Sequence, residues 1–150
     1  MADKGLSYAI KLLSIRDYFT EEIRKKITQK MGSNEIANEV IEKLNEMGYL
    51  NDERVAYNYS RYKLSSGYGP YYISNKLCEH GYPKDVSFVE SIAEKEDIDL
   101  EKFIRDYSKK YIKEDSEDPY KDYVKCANFL KNKGYSMDLI MNILNKGDFE

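Results

Sequence analysis

Cysteine, histidine, proline and tryptophan are scarce in this chain. Its 150 residues hold two cysteines, one histidine, three prolines and no tryptophan. Cys78 and Cys126 form no C-x-x-C pair, and His80 has no acid or cysteine at a helical ligand spacing. Neither a disulfide framework nor a structural zinc site is expected, and both cysteines read as small buried hydrophobes in a reducing cytoplasm. No apolar run approaches the roughly 20 residues that span a bilayer, and the N-terminal stretch lacks a signal-peptide core, so no membrane association is expected. A Walker A loop and a G-x-G-x-x-G fingerprint are both missing. The carboxylates are scattered, with no pair that stands out for acid–base work. Gly67-x-Gly69-Pro70 is no phosphate loop, because Pro70 removes a needed N–H donor. No catalytic residue, metal or cofactor is expected, and the chain is read as not an enzyme.

Charge and tyrosine are what the chain has. Charged residues make up 34% of it, net charge is -3, and mean hydropathy is -0.74. That surface-rich balance suits an elongated helical protein, and 15 tyrosines with 5 phenylalanines argue against disorder as the main state. One stretch runs against the acidic average. Arg54–Cys78 carries Arg54, Arg61, Lys63 and Lys76, six tyrosines, and no Asp or Glu. At its centre Gly67-Tyr68-Gly69-Pro70 breaks any helix, and Pro70 suits a first helical position. The expected form is helix, sharp turn, helix, with cations and rings on both arms.

Apolar periodicity predicts only helices, about nine of them. The first spans Ser7 to Ile15, with Tyr8, Leu12, Leu13 and Ile15 inward. Thr20 is expected to cap the second, which buries Ile23, Ile27 and Met31. Ser33 caps a third, with Ile36, Val40, Ile41 and Leu44, ended by Gly48. Asn51 or Asp52 caps the fourth, for which Val55, Tyr59 and Tyr62 are the expected core stripe. A fifth carries Ile73 and Leu77 to about His80. Another starts at Gly81-Tyr82-Pro83, with Val86, Val89 and Ile92 inward. Leu100, Phe103, Ile104, Tyr107 and Tyr111 mark a helix from about Asp99. An acidic loop, Glu114 to Pro119, precedes helices over Tyr123 to Lys133 and Ser136 to about Leu144.

A repeat underlies this order. Ile23, Ile27, Glu35 and Ile36 fall 50 positions before Ile73, Leu77, Asp85 and Val86 (73 − 23 = 50). His80 to Val86 matches Lys133 to Leu139 at an offset of 53 (134 − 81 = 53). The reading is one helical-repeat domain over residues 1–150, with repeats at about 5–50, 51–97 and 98–147, in which neighbours share a core. Ile23–Asn34, Arg54–Cys78 and Tyr123–Met137 lack acids and carry four, four and three Lys or Arg. Stacked repeats can thus gather positive charge on one face, although charge runs are as often ordinary solvated surface.

Gly48-Tyr49-Leu50-Asn51-Asp52-Glu53-Arg54-Val55-Ala56, then Gly67-Tyr68-Gly69-Pro70, Ile73, Leu77 and Gly81, resembles the RecX family of bacterial regulators of the recombinase RecA. Leu12, Leu13, Arg16, Asp17, Glu22, Ile23 and Ile27 fit the family's opening unit. The resemblance covers about residues 8 to 95 well and the third repeat loosely. It implies an all-α fold of three tandem three-helix repeats, elongated and curved. It also implies binding in the groove of the RecA–DNA filament, with inhibition or modulation of strand exchange, ATP hydrolysis and co-protease activity, and no enzymatic activity. The chain departs from the family pattern at Phe19, where a small residue is common, at His80, where Lys is usual, and in its negative net charge. A monomer is expected, with the RecA nucleoprotein filament as partner and at most a weak direct contact to single-stranded DNA. The candidate contact residues are Arg54, Tyr57, Arg61, Lys63, Tyr68, Tyr71 and Lys76, with Arg24, Lys26 and Lys131. The rival reading is a helical-repeat single-stranded nucleic-acid binder using Tyr57, Tyr68 and Tyr71.

Overall fold

The computed structural model describes residues 2–146. Among the described residues there are nine α-helices and no strand: α1 Ala2–Ile15, α2 Thr20–Met31, α3 Asn34–Glu46, α4 Asp52–Ser65, α5 Pro70–Glu79, α6 Val86–Lys95, α7 Leu100–Tyr111, α8 Pro119–Asn132 and α9 Met137–Lys146. Their starts follow local chemistry. Side-chain oxygens of Ser33, Asn51, Asp85, Asp99, Asp118 and Ser136 each accept the backbone N–H three residues on, satisfying a donor that the helix leaves open. Several starts correct the sequence reading. α1 begins at Ala2, five residues early. α6 begins after Asp85 rather than at Gly81-Tyr82-Pro83. α8 begins at Pro119, inside the expected acidic loop, because Asp118 caps it and Pro119 fits its first turn. Thr20 is the first helical residue of α2 and not its cap.

The repeat is visible in how helices end. Gly32, Gly81 and Gly134 follow the second helix of each three-helix set, all with positive φ. After α5 and α8 the same closure recurs, with Tyr82 N–H bonded to the Leu77 carbonyl at 3.0 Å and Tyr135 N–H to that of Leu130 at 3.2 Å. Ser33, Asp85 and Ser136 then cap the third helices. The third-helix offset between the first two sets is therefore 52 (85 − 33 = 52), so Glu35 and Asp85 are not equivalents.

Two compact units divide the chain. The first holds residues up to Tyr59 together with Leu77–Pro83; the second holds Ser60–Lys76 and the residues from Lys84 onward. In the first, Ala9, Tyr18, Ile23, Ile27, Ala37, Val40, Ile41 and Leu44 form a core under Leu6, Leu12, Met31 and Ile36. In the second, Ile104, Cys126, Ala127, Leu130, Tyr135, Ile140, Ile143 and Leu144 do so. Truncating a fully buried member such as Ile27 or Leu130 to Ala costs about 2–5 kcal/mol.

Three expectations about burial fail. Ile15, at the last position of α1, is 73% exposed. Cys78 is exposed, because Ile73 and Leu77 take the inward side of α5 and the next residue is rotated about 100° away. Tyr62 is 68% exposed, and Tyr59 is only half-buried. The inward stripe of α4 is instead Val55, Ala56, Ser60 and Leu64, three of them four residues apart in series. The stripe is built from aliphatic and small residues, and the Tyr62 ring is left outside.

Candidate functional site

The turn between α4 and α5 is shaped by what it packs on. α4 closes when Gly67 and Tyr68 donate backwards to Leu64 and Lys63, both at 3.1 Å. The first turn of α5 then has open N–H groups. Gly69 N–H reaches the Lys133 carbonyl at 2.7 Å, and Tyr71 N–H reaches the Gly134 carbonyl at 2.9 Å. So the turn between α8 and α9 caps α5 with backbone oxygens. From the same turn the buried Tyr135 hydroxyl donates to the Gly67 carbonyl at 2.7 Å. Burial, helped by neighbouring Tyr107, keeps that hydroxyl protonated well above the ordinary tyrosine range.

Neither glycine at this contact has room for a side chain. A Cβ on Gly69 would lie 2.5 Å from the Gly134 carbonyl carbon and oxygen. One on Gly134 would lie 2.4 Å from Tyr72 Cβ and 2.5 Å from Tyr72 N, at a φ of +104° that L side chains rarely adopt.

Lysines and rings gather around this clamp. Lys133 Nζ stands 4.1 Å from the Tyr68 ring centroid and 5.7 Å from that of Phe129. Lys63 Nζ is 5.0 Å from Tyr68 and 5.9 Å from Tyr62. Tyr68 stacks on Tyr72 with centroids 4.3 Å apart and planes 21° from parallel, and Lys76 Nζ is 5.5 Å from the Tyr72 ring. A ring face holds an ammonium group without cancelling its charge. Lys133 makes no ion pair among the described residues. Nearby, Tyr71 is 51% exposed and shares a cavity of about 340 Å³ with Lys131, Tyr135, Ser136, Met137 and Asp138. Ordered cations beside exposed rings suit a partner that carries anions and planar groups.

The expected site residues divide between the two units. Lys63, Tyr68, Tyr71, Lys76 and Lys131 lie in the second, together with Arg61, whose guanidinium is 3.9 Å from Glu96. Arg24, Lys26, Arg54 and Tyr57 lie in the first. There Arg54 pairs with Asp17 at 3.5 Å, and Arg24 bonds Glu21 at 3.1 Å and also the Asn38 side chain. Lys26 lies 5.9 Å from the Tyr18 ring, and Tyr57 is half-buried. Sequence reasoning omitted Lys133 from the site. The signal was present, since Lys133-Gly134-Tyr135 matches His80-Gly81-Tyr82, but the partner ring sits 65 positions earlier (133 − 68 = 65).

Comparison with known proteins agrees with this architecture. A family model described as RecX, third three-helix domain, matches residues 97–144, the repeat in which the sequence resemblance was loosest. The regulatory protein RecX of Shigella sonnei is 30% identical over 154 residues, covering 95% of this chain and 92% of its own. That of Pseudomonas putida is 27% identical over 143 residues, covering 95% and 90%. The crystal structure of RecX from Lactobacillus salivarius shares the fold, with a TM-score of 0.80 at 24% identity, covering 99% of this chain and 97% of that one. Helices, repeat signatures and whole-length similarity converge, and the chain belongs to the RecX family of regulatory proteins.

Proposed function

We propose that this protein binds the RecA–DNA filament and inhibits its recombinase, ATPase and co-protease activities, working as a monomer in the cytoplasm. The observation that carries this reading is family membership over nearly the whole chain, at 30% identity across 95% of it. The lysine–tyrosine cluster supports it by supplying a cationic, ring-rich surface for a polyanionic assembly. Arg61, Lys63, Tyr68 and Tyr71 are its proposed centre, with the remaining expected contacts around them. The chain's net charge of -3 is no obstacle, because partner recognition depends on local complementarity. In this reading the protein carries out no reaction and acts by occupying its partner. RecA's single-strand-dependent ATP hydrolysis, followed as the protein is titrated in, is expected to fall in proportion to occupancy. An unchanged rate at saturating protein would sink the reading.

A further inference from the structure

We infer that the groove between α6 and α9 is a docking site for a basic segment of a partner protein, one that carries arginine or lysine beside aliphatic side chains. All of the groove lies in the second unit. α9 has two faces. Ile140, Ile143 and Leu144 enter the core, whereas Asp138, Asn142 and Asn145, at i, i+4 and i+7, line the groove. Glu90 lines it from α6, and the cavity measures about 670 Å³. A smaller cavity of about 100 Å³ adjoins it, sharing Glu90 and Leu139 and adding Val86 and Leu100, both half-buried. Aliphatic walls thus lie under a polar rim.

Charge decides what fits. No Lys or Arg lines either cavity. Residues 86–101 hold six acids and one lysine. Glu96, Asp99 and Glu101 are paired with arginines, but Glu90 and Asp138 are exposed and make no ion pair among the described residues. Their carboxylates, with the exposed Asn142 amide, offer acceptors to a guanidinium or ammonium group and repel phosphate. A metal ion fits less well, since no group of three metal-ligating side chains occurs among the described residues. The aliphatic walls ask for a second feature, a leucine-like side chain next to the cation, and a polypeptide carries both. The charge turns over at Asp138, which also lines the Tyr71 cavity with Lys131. The groove is therefore distinct in chemistry from the lysine–tyrosine clamp.

The test is an amide-resolved NMR titration of the full chain with a capped Arg-Leu-Leu-Arg-Leu-Leu-Arg peptide, with no RecA present. Saturable shifts are expected at Glu90, Leu139 and Asn142 and their neighbours. Replacing the peptide's leucines by serine is expected to weaken binding at least about tenfold, the scale of one buried leucine. Glu90→Lys is expected to weaken it about tenfold, because it removes an attraction and adds a repulsion. Glu42→Lys makes the same charge change on α3, in the first unit, and is expected to alter binding by less than about twofold at physiological salt. The amide spectrum of each variant reports its fold, and the peptide series on the parent needs no variant. Absence of saturable shifts, equal affinity for a peptide with glutamate in place of arginine, or equal loss from Glu90→Lys and Glu42→Lys would each overturn the proposal. An oligothymidylate that moves the same amides as strongly would assign the groove to nucleic acid and overturn it as well. RecA enters only in the ATPase assay, so the groove and the filament reading fail separately.

Discussion

In the first unit, His80-Gly81-Tyr82 packs on the start of α2; in the second, Lys133-Gly134-Tyr135 packs on the start of α5. Gly81 meets Glu21, where an added Cβ would lie 2.6 Å from that residue's Cβ, just as Gly134 meets Tyr72. The residue before each glycine lies over a ring, His80 on Phe19 at 5.6 Å and Lys133 on Tyr68 at 4.1 Å. The two differ in how the open N–H groups of the helix are satisfied. At α2 carboxylates do it: Glu22 accepts from Phe19 N–H at 3.0 Å, and Asp52 accepts from Thr20 N–H at 2.7 Å and from its hydroxyl. Around those acids, the Arg16 guanidinium lies 3.6 Å and the His80 ring 3.3 Å from Glu22. At α5 backbone carbonyls do it and add no net charge. A helix start capped by acids carries negative charge of its own, whereas one capped by carbonyls adds none.

Steric substitutions break this comparison hardest. Gly134→Ala forces a Cβ into Tyr72 backbone at a positive φ, and a loss of about 3 kcal/mol or more is expected in urea unfolding. Gly32→Ala, at a similar φ of +69° but with nothing within 4 Å, isolates the conformational part, about 1 kcal/mol. Equal losses would mean that the clamp is loose.

Tyr135→Phe strands the buried Gly67 carbonyl and should cost about 1–3 kcal/mol. It also carries a pH signature. Tyr135 stays protonated in the folded chain, while an unfolded tyrosine ionises near ~10. Above that pH the folded state binds more protons, so stability declines as pH rises toward the folded value. The phenylalanine variant should lose less stability than the parent between mildly and strongly alkaline buffer, as read by melting temperature. A parallel decline in both proteins would contradict the assignment.

Asp52→Ala removes the carboxylate that receives Thr20 and should cost about 1 kcal/mol in thermal melting while leaving inhibition of RecA's ATPase unchanged. Lys133→Gln should show the reverse pattern. It forfeits a ring contact worth about 0.5–1 kcal/mol at most, yet it is expected to weaken inhibition of RecA's ATPase. If Asp52→Ala impairs inhibition as much as Lys133→Gln does, the contrast between acid-capped and carbonyl-capped helix starts does not govern function.

Much of the fold is legible because local rules and tertiary packing agree. Ser33, Asp99, Pro70 and Gly48 sit where capping chemistry puts them, and Ile23, Ile27, Ile73 and Leu77 are all buried. Reading fails where size was taken for inwardness. Tyr62 outweighs Ser60 in size, but Ser60 shares the inward side of α4 with Ala56 and Leu64 and is fully buried, while Tyr62 faces away and is exposed. Thr20 carries a capping side chain, but Asp52, 32 residues away, claims both its N–H and its hydroxyl. The site followed the same division. Lys63, Tyr68 and Tyr71 were visible as one basic, aromatic stretch. Lys133 was not, because only the fold brings a distant turn onto Tyr68.

The backbone cap on α5 also sets an order of assembly. Gly69 donates to a carbonyl 64 positions further along (133 − 69 = 64). A chain emerging from the ribosome forms α4 and α5 long before that oxygen exists, at a synthesis rate of about 5–20 residues per second. For several seconds the start of α5 is left to water. The central turn therefore takes its final shape only when the last three helices arrive, and a message truncated ahead of α8 yields a protein whose central helix lacks its cap.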